Sequence, residues 1–140
     1  MNRIINLALG LVILLQLSCS KPVEIVNTIN ELPEIFPDYV GVTIPPNIAP
    51  LNFKLIESTN KNQAIIVESN DIKFEVRAGN KQFQIPESKW KALLKASANS
   101  DFSVTVCFQE ESGWTSYSPF KIKVAKESVD PYLAYRLIEP

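Results

Sequence analysis

Phe102-Ser103-Val104-Thr105-Val106-Cys107-Phe108-Gln109 sets an apolar side chain at every second position, with Ser103, Thr105, Cys107 and Gln109 between them. A period of two marks a strand with one face on a core. Phe102, Val104, Val106 and Phe108 are therefore expected inside, and Cys107 on the opposite face, either beneath a helix or toward solvent. Buried inert cysteine is the expectation for that thiol, since nothing basic adjoins it in sequence.

Downstream, Glu110-Glu111-Ser112-Gly113 reads as a turn, and Trp114 to Val124 returns as a second strand with Phe120, Ile122 and Val124 alternating with Lys121 and Lys123. Pro119 has no amide hydrogen for a ladder, so it marks an edge position or a bulge. Upstream, Pro86 opens one helix, Glu87 to about Ala96, with Trp90, Leu93 and Leu94 on a single face. A helix this short must pack to persist, and the Trp90 face is expected across an open end of the sheets.

Further upstream the β signals continue. Ile72, Phe74 and Val76 alternate with Lys73, Glu75 and Arg77, and Ala78-Gly79-Asn80 turns into Gln82-Phe83-Gln84-Ile85, which reads as a hairpin. Ala64-Ile65-Ile66-Val67-Glu68-Ser69 is β-branched enough for a strand buried on both faces. Asn60-Lys61-Asn62 precedes it as a turn. Leu51, Phe53 and Leu55 alternate with Asn52, Lys54 and Ile56, and Tyr39 to Ile44 forms a short strand stopped by Pro45-Pro46. Short strands with turns about every 8 to 12 residues predict an all-β, immunoglobulin/fibronectin type III-like antiparallel β-sandwich with one short helix.

The first residues have another purpose. Arg3 followed by the apolar run Ile4 to Leu17 is a signal-peptide pattern. The run falls short of the roughly 20 apolar residues of a spanning helix, and it ends in Ser18-Cys19-Ser20. The expected organisation is a signal peptide at 1–18, a tether at 19–38, a β-sandwich domain at 39–128 and an apolar tail at 129–140. Val23, Ile25, Val26 and Ile29 offer an alternative to the tether, an edge strand lying along the domain.

Three resemblances add to this reading. Leu17-Ser18-Cys19 resembles the bacterial lipobox, which implies a diacylated Cys19 as the first mature residue; Gln16 stands where that family usually has Leu. Acyl chains contribute about 0.8 kcal/mol per buried CH₂, and two or more anchor stably. Phe102-x-Val104-x-Val106, the Gly113 turn, Ser118-Pro119 and Lys121 to Val124 resemble the last strands of fibronectin type III domains, with Phe102 in place of the family's usual Tyr. Pro37-Asp38-Tyr39, Val42 to Phe53 and the tail Tyr132 to Pro140 resemble the N-terminal region of Bacteroidota lipoproteins that continue into a TolB-like β-propeller. That resemblance implies a truncated or split relative retaining the accessory domain alone. The apolar tail stops as though more structure should follow.

Composition narrows the chemistry. The chain has 140 residues and no histidine, so a Ser-His-Asp triad, a Cys-His pair and a His-ligated metal are excluded. If Cys19 is acylated, Cys107 is the one remaining thiol and no internal disulfide forms. A formal net charge of -1 gives no field to attract nucleic acid. Glu110 and Glu111 adjoin in a turn, where side chains diverge, and Glu68 with Asp71 lacks the Gly-punctuated loop of a Ca²⁺ site. No enzyme activity, cofactor or metal is expected.

Binding remains. Trp114-Thr115-Ser116-Tyr117-Ser118 is similar to the Trp-Ser-x-Trp-Ser box of cytokine-receptor sandwiches, in which cationic side chains stack on aromatic rings, with Arg77 or Lys121 as the partner here. The leading expectation is a lipid-anchored scaffold or protein-interaction module of the cell envelope, docking a protein partner through Tyr132, Tyr135 and their apolar neighbours. The alternative is a carbohydrate-binding module using exposed Trp114 and Tyr117, joined by Tyr39. Ser20-Lys21-Pro22-Val23-Glu24 lacks the acidic run that resembles a surface-export tag, so the expected address is the outer membrane's periplasmic face rather than the cell surface.

Overall fold

Residues 21–56, 61–130 and 132 are described by the structure, a computed structural model. The elements run β1 (Ile25–Thr28), β2 (Ile35–Phe36), β3 (Thr43–Ile44), β4 (Lys54–Leu55), β5 (Gln63–Glu68), β6 (Lys73–Arg77), α1 (Glu87–Ala96), β7 (Asp101–Glu110), β8 (Gly113–Ser116) and β9 (Phe120–Val124). The expected signal peptide, Cys19, Asn60, Tyr135 and the other tail residues beyond Tyr132 lie outside the described residues.

The alternating octapeptide lies within β7, which organises a seven-stranded sheet. One edge pairs antiparallel with β5, from Ser103 opposite Glu68 to Phe108 opposite Gln63. Its other edge is shared by two strands in succession. Asp101 to Val104 pairs with β9, and Cys107 to Glu110 pairs with β8. Cys107 is opposite Ser116, but Val104 is opposite Phe120, so the return strand gains one residue between them. Pro119 sits in that bulge, where its missing donor costs the ladder nothing.

The outer pairings differ from the antiparallel expectation. Strand β1 runs parallel to β8, and β3 runs parallel to β9, so the sheet is mixed. Both are brought in by long connections, which a parallel neighbour requires. The fold is all-β and sandwich-like, with α1 its one helix among the described residues.

On the core face of the sheet, Ile65, Val67, Phe74, Val76, Phe102, Val104, Val106, Phe120, Ile122 and Val124 are all buried. The opposing layer is less regular. It contains the two-stranded β2·β4 sheet, an isolated bridge between Phe53 and Phe83, and α1. Phe53 meets Phe83 at 5.1 Å and Phe120 edge-on at 6.4 Å, while Trp90 meets Phe102 edge-on at 5.9 Å. Such aromatic pairs add about 0.5–1.5 kcal/mol beyond the area they bury. The Trp90 indole also donates to the Ile48 carbonyl at 2.9 Å, which satisfies its one polar atom. The predicted Trp90, Leu93 and Leu94 face is the buried face of α1.

Residues 82–85 correct the hairpin expectation. A tight turn does form, with Gly79 and Gln82 exchanging hydrogen bonds of 2.9 and 3.0 Å around Asn80 and Lys81, both at positive φ. The chain then leaves β6 and crosses to the other layer, where Phe83 N–H donates to the Phe53 carbonyl at 2.8 Å. Phe83 and Ile85 are thereby buried in the core. Burying a phenyl ring wins over extending a two-stranded ladder, since apolar burial is worth roughly 1.5–3 kcal/mol per large side chain.

The stretch expected as a tether is also corrected. From Lys21 onward it is part of the folded body. Strand β1 pairs with β8, Ile29 N–H donates to the Ser116 carbonyl at 2.8 Å, and Ser118 N–H donates to the Glu31 carbonyl at 2.9 Å. Strand β2 then pairs with β4. The edge-strand alternative describes residues 25–28 correctly, and the domain begins by residue 21 rather than at 39.

Candidate functional site

The sheet's outer face has its own small apolar cluster of Val23, Ala64, Ile66, Cys107 and Trp114. Ala64, Ile66 and Cys107 come from the central strands β5 and β7, which explains why the 64–67 stretch reads as buried on both sides. That double burial was the sequence signal that something must cover this face. The cover is residues 21–24, which cross from the β6 edge toward β8 before the chain enters β1.

Two β6 side chains hold this strap. Glu75 accepts from the Val23 amide at 3.1 and 3.2 Å, a charge-assisted bond. Arg77 donates to the Lys21 carbonyl at 2.5 Å, and its guanidinium stacks over the Trp114 ring at 5.3 Å. Alternation along β6 sends Glu75 and Arg77 outward while Phe74 and Val76 enter the core. Of the two cations expected beside the tryptophan, Arg77 is the one that stacks. Lys121 instead pairs with Asp101 at 3.0 Å.

The turn beside this strap requires glycine. Gly113 has φ +130°, and a Cβ there would meet Val26 Cγ2 at 2.8 Å. Next to it a groove of ≈ 610 Å³ opens between the strap and the sheet, lined in part by Lys21, Glu24, Val26, Arg77, Gln109 and Trp114. Its lining bears charges of both signs.

The aromatic residues proposed to bind are not arranged as a shared platform. Trp114 is 6% exposed, because Val23 and Arg77 cover it. Tyr117 projects from the other face, half-buried with its ring 5.6 Å from Phe108. Tyr117 follows the end of β8 at Ser116 and packs on the core cluster, whereas Trp114 belongs to the cluster beneath the strap. Tyr39, at 6.3 Å from Phe53, packs on the core as well. Nor is Trp114 on an edge strand, since β8 lies between β7 and β1. The surface required by the carbohydrate alternative is therefore not formed by these residues. Tyr132, in contrast, is 87% exposed.

Cys107 lies on the outer face as expected, but beneath the strap rather than the helix, and it is fully buried. Burial, and secondarily the Glu75 carboxylate, push its thiol up to about 11. A thiol so placed is a poor nucleophile at neutral pH. Glu110 bonds Lys61 at 2.6 Å and Thr115 at 3.0 Å, and those partners, Lys61 first, hold its carboxyl below the ordinary value. Glu68 pairs with Lys73 at 3.2 Å. Among the described residues, no three Asp, Glu or Cys side chains converge as metal ligands.

Among the described residues, no helix is long and apolar enough to cross a membrane. The chain leaves the domain at a different place from the strap. Asn47 binds Val129 from both sides, donating to its carbonyl and accepting from its amide at 2.9 Å each. Comparison of the chain with protein-family models, with curated proteins and with solved structures finds no match.

Proposed function

We propose that this protein is a non-enzymatic, lipid-anchored module of the bacterial cell envelope that holds a protein partner beside the membrane. The observation that carries the reading is the pairing of two chain segments with opposite properties. The segment that follows Cys19 is built into the domain, while the segment after Val129 is held at its base by Asn47 and projects an exposed Tyr132. A signal-type leader ending in Ser18-Cys19 supplies the anchor, and an apolar tail supplies an element able to add to a partner.

The missing histidine, the buried thiol and the paired carboxylates support a binding role over catalysis. The likeness of the 37–39, 42–53 and 132–140 stretches to TolB-like propeller lipoproteins supports an accessory-domain relative, with a β-propeller as the natural partner. The lack of an acidic run in Ser20-Lys21-Pro22-Val23-Glu24 favours the periplasmic face of the outer membrane.

Mass spectrometry of the mature chain, with Cys19→Ala as control, tests the anchor. Two or more acyl groups on Cys19 and recovery in the membrane fraction are expected. An unacylated mature chain would overturn the proposal.

A further inference from the structure

If the anchor is on Cys19, the folded strap leaves almost no tether. Lys21 is fixed by Arg77, and the next residue but one toward the N-terminus is Cys19. Two residues span at most about 7 Å, so the Cys19 Cα lies within that distance of the Lys21 Cα wherever it points. An acylated residue must reach the lipid interface. The part of the domain around Lys21 therefore has to lie against the bilayer.

The place where the tail leaves is remote from that point in all three directions of the sandwich. Lys21 is at the β6 edge, on the outer face, level with the Arg77, Ala64 and Cys107 row. Val129 is held by Asn47, just past β3, beyond the opposite side of the sheet. Asn47 precedes Ile48, which accepts from Trp90 of the helix layer, and it follows the end of β3 that aligns with Asp101 at the start of β7. Strand spacing, strand rise and layer thickness place the two points roughly 30 Å apart.

We propose that the anchored protein rests on the bilayer with the outer face near Arg77 and the Gly113 turn toward lipid, and holds Val129, on Asn47, on the far side. This rests on acylation at Cys19. The surface around the strap carries Lys21 and Arg77 together with Glu24 and Glu75, two charges of each sign, so the orientation comes from the short leash and not from attraction to anionic lipid. The consequence is a standoff. A partner that binds at Tyr132, at most about 11 Å along the chain from Val129, is held clear of the headgroups by the body of the domain.

The test uses the full acylated chain in phosphatidylcholine vesicles that include a spin-labelled headgroup quencher. Fluorophores are placed through Ser112→Cys, beside the proposed contact, or Lys95→Cys, on the far layer; the native Cys107 is buried. Quenching several-fold greater at position 112 than at 95 is expected. Insertion of ten Gly/Ser residues between Ser20 and Lys21 gives a flexible reach of about 17 Å and is expected to remove most of that difference. Equal quenching at both positions in vesicle-bound protein, or a difference untouched by the insertion, would overturn the orientation while leaving the anchor standing. A chain that fails to sediment with the vesicles would overturn the anchor, and the orientation with it.

Discussion

Residues one step apart on β7 face two different kinds of cover. Phe102, Val104 and Val106 look into a core closed by Phe53, Phe83, Trp90, Leu93 and their neighbours, side chains drawn from several segments. Cys107 looks outward to a cluster of five, closed by Val23 and Trp114. Removing one contributor from the first side leaves many others in place around a cavity. On the second side there is one strap, and it is the segment that adjoins the proposed anchor. Stability thus resides mainly in one face of the sheet, and the proposed attachment adjoins the other.

Substitutions on the two faces should sharpen that contrast. Phe102→Ala is expected to cost about 3–5 kcal/mol, because the Trp90 contact and the surrounding core cannot collapse around the void. Trp114→Ala should cost less, about 2 kcal/mol, since the strap can settle toward the sheet and part of the indole lies beside an open groove. Urea denaturation of both variants gives the comparison. Equal losses would mean that the outer cluster is as integral as the core.

Cys107 reports on the same contrast through pH. Its folded thiol is raised from 9.0 to about 11, first by burial and then by Glu75. The folded state therefore holds the proton more tightly than the unfolded chain. That contribution is fully present below about pH 9 and is lost as pH rises toward 11. A decline in stability over this window, missing from Cys107→Ala, is the expected result. At neutral pH the thiol should react with a disulfide reagent only after the strap opens, so Val23→Asp should accelerate labelling without unfolding the core. Unchanged labelling would show that the strap is not what shields it.

The smallest effect is expected at the end of α1. Ser97 is buried, and its hydroxyl has no hydrogen-bond partner among the described residues. Ser97→Ala removes a polar atom that gains nothing from burial, so stability should change by less than about 0.5 kcal/mol or rise slightly. Thermal unfolding would detect a larger loss.

Much of the core could be read from residue order. The alternation in β7, the buried row in β5 and the helical face of Trp90, Leu93 and Leu94 are each local patterns, and a local pattern states which side of a segment is apolar. Less of the candidate site could be read. Residues 21–24 show no period, because a strap crossing strands does not repeat its contacts at any fixed interval. Trp114 and Tyr117 look alike as aromatic residues in a Ser/Thr-rich stretch, and nothing local tells that one is covered by a segment about ninety positions away.

By itself, the sequence determined the composition of the chemistry, with no histidine and one thiol in the body of the chain, and the inward face of the segments that form β4, β6, β7 and β9. Tertiary structure alone decided what covers the other face. It placed Val23 on Cys107, chose Arg77 over Lys121 for the tryptophan, and turned residues 82–85 away from β6. Periodicity states that a face must be buried, whereas the partner that buries it is selected by long-range packing, where loop closure costs little more for a distant segment than for a near one.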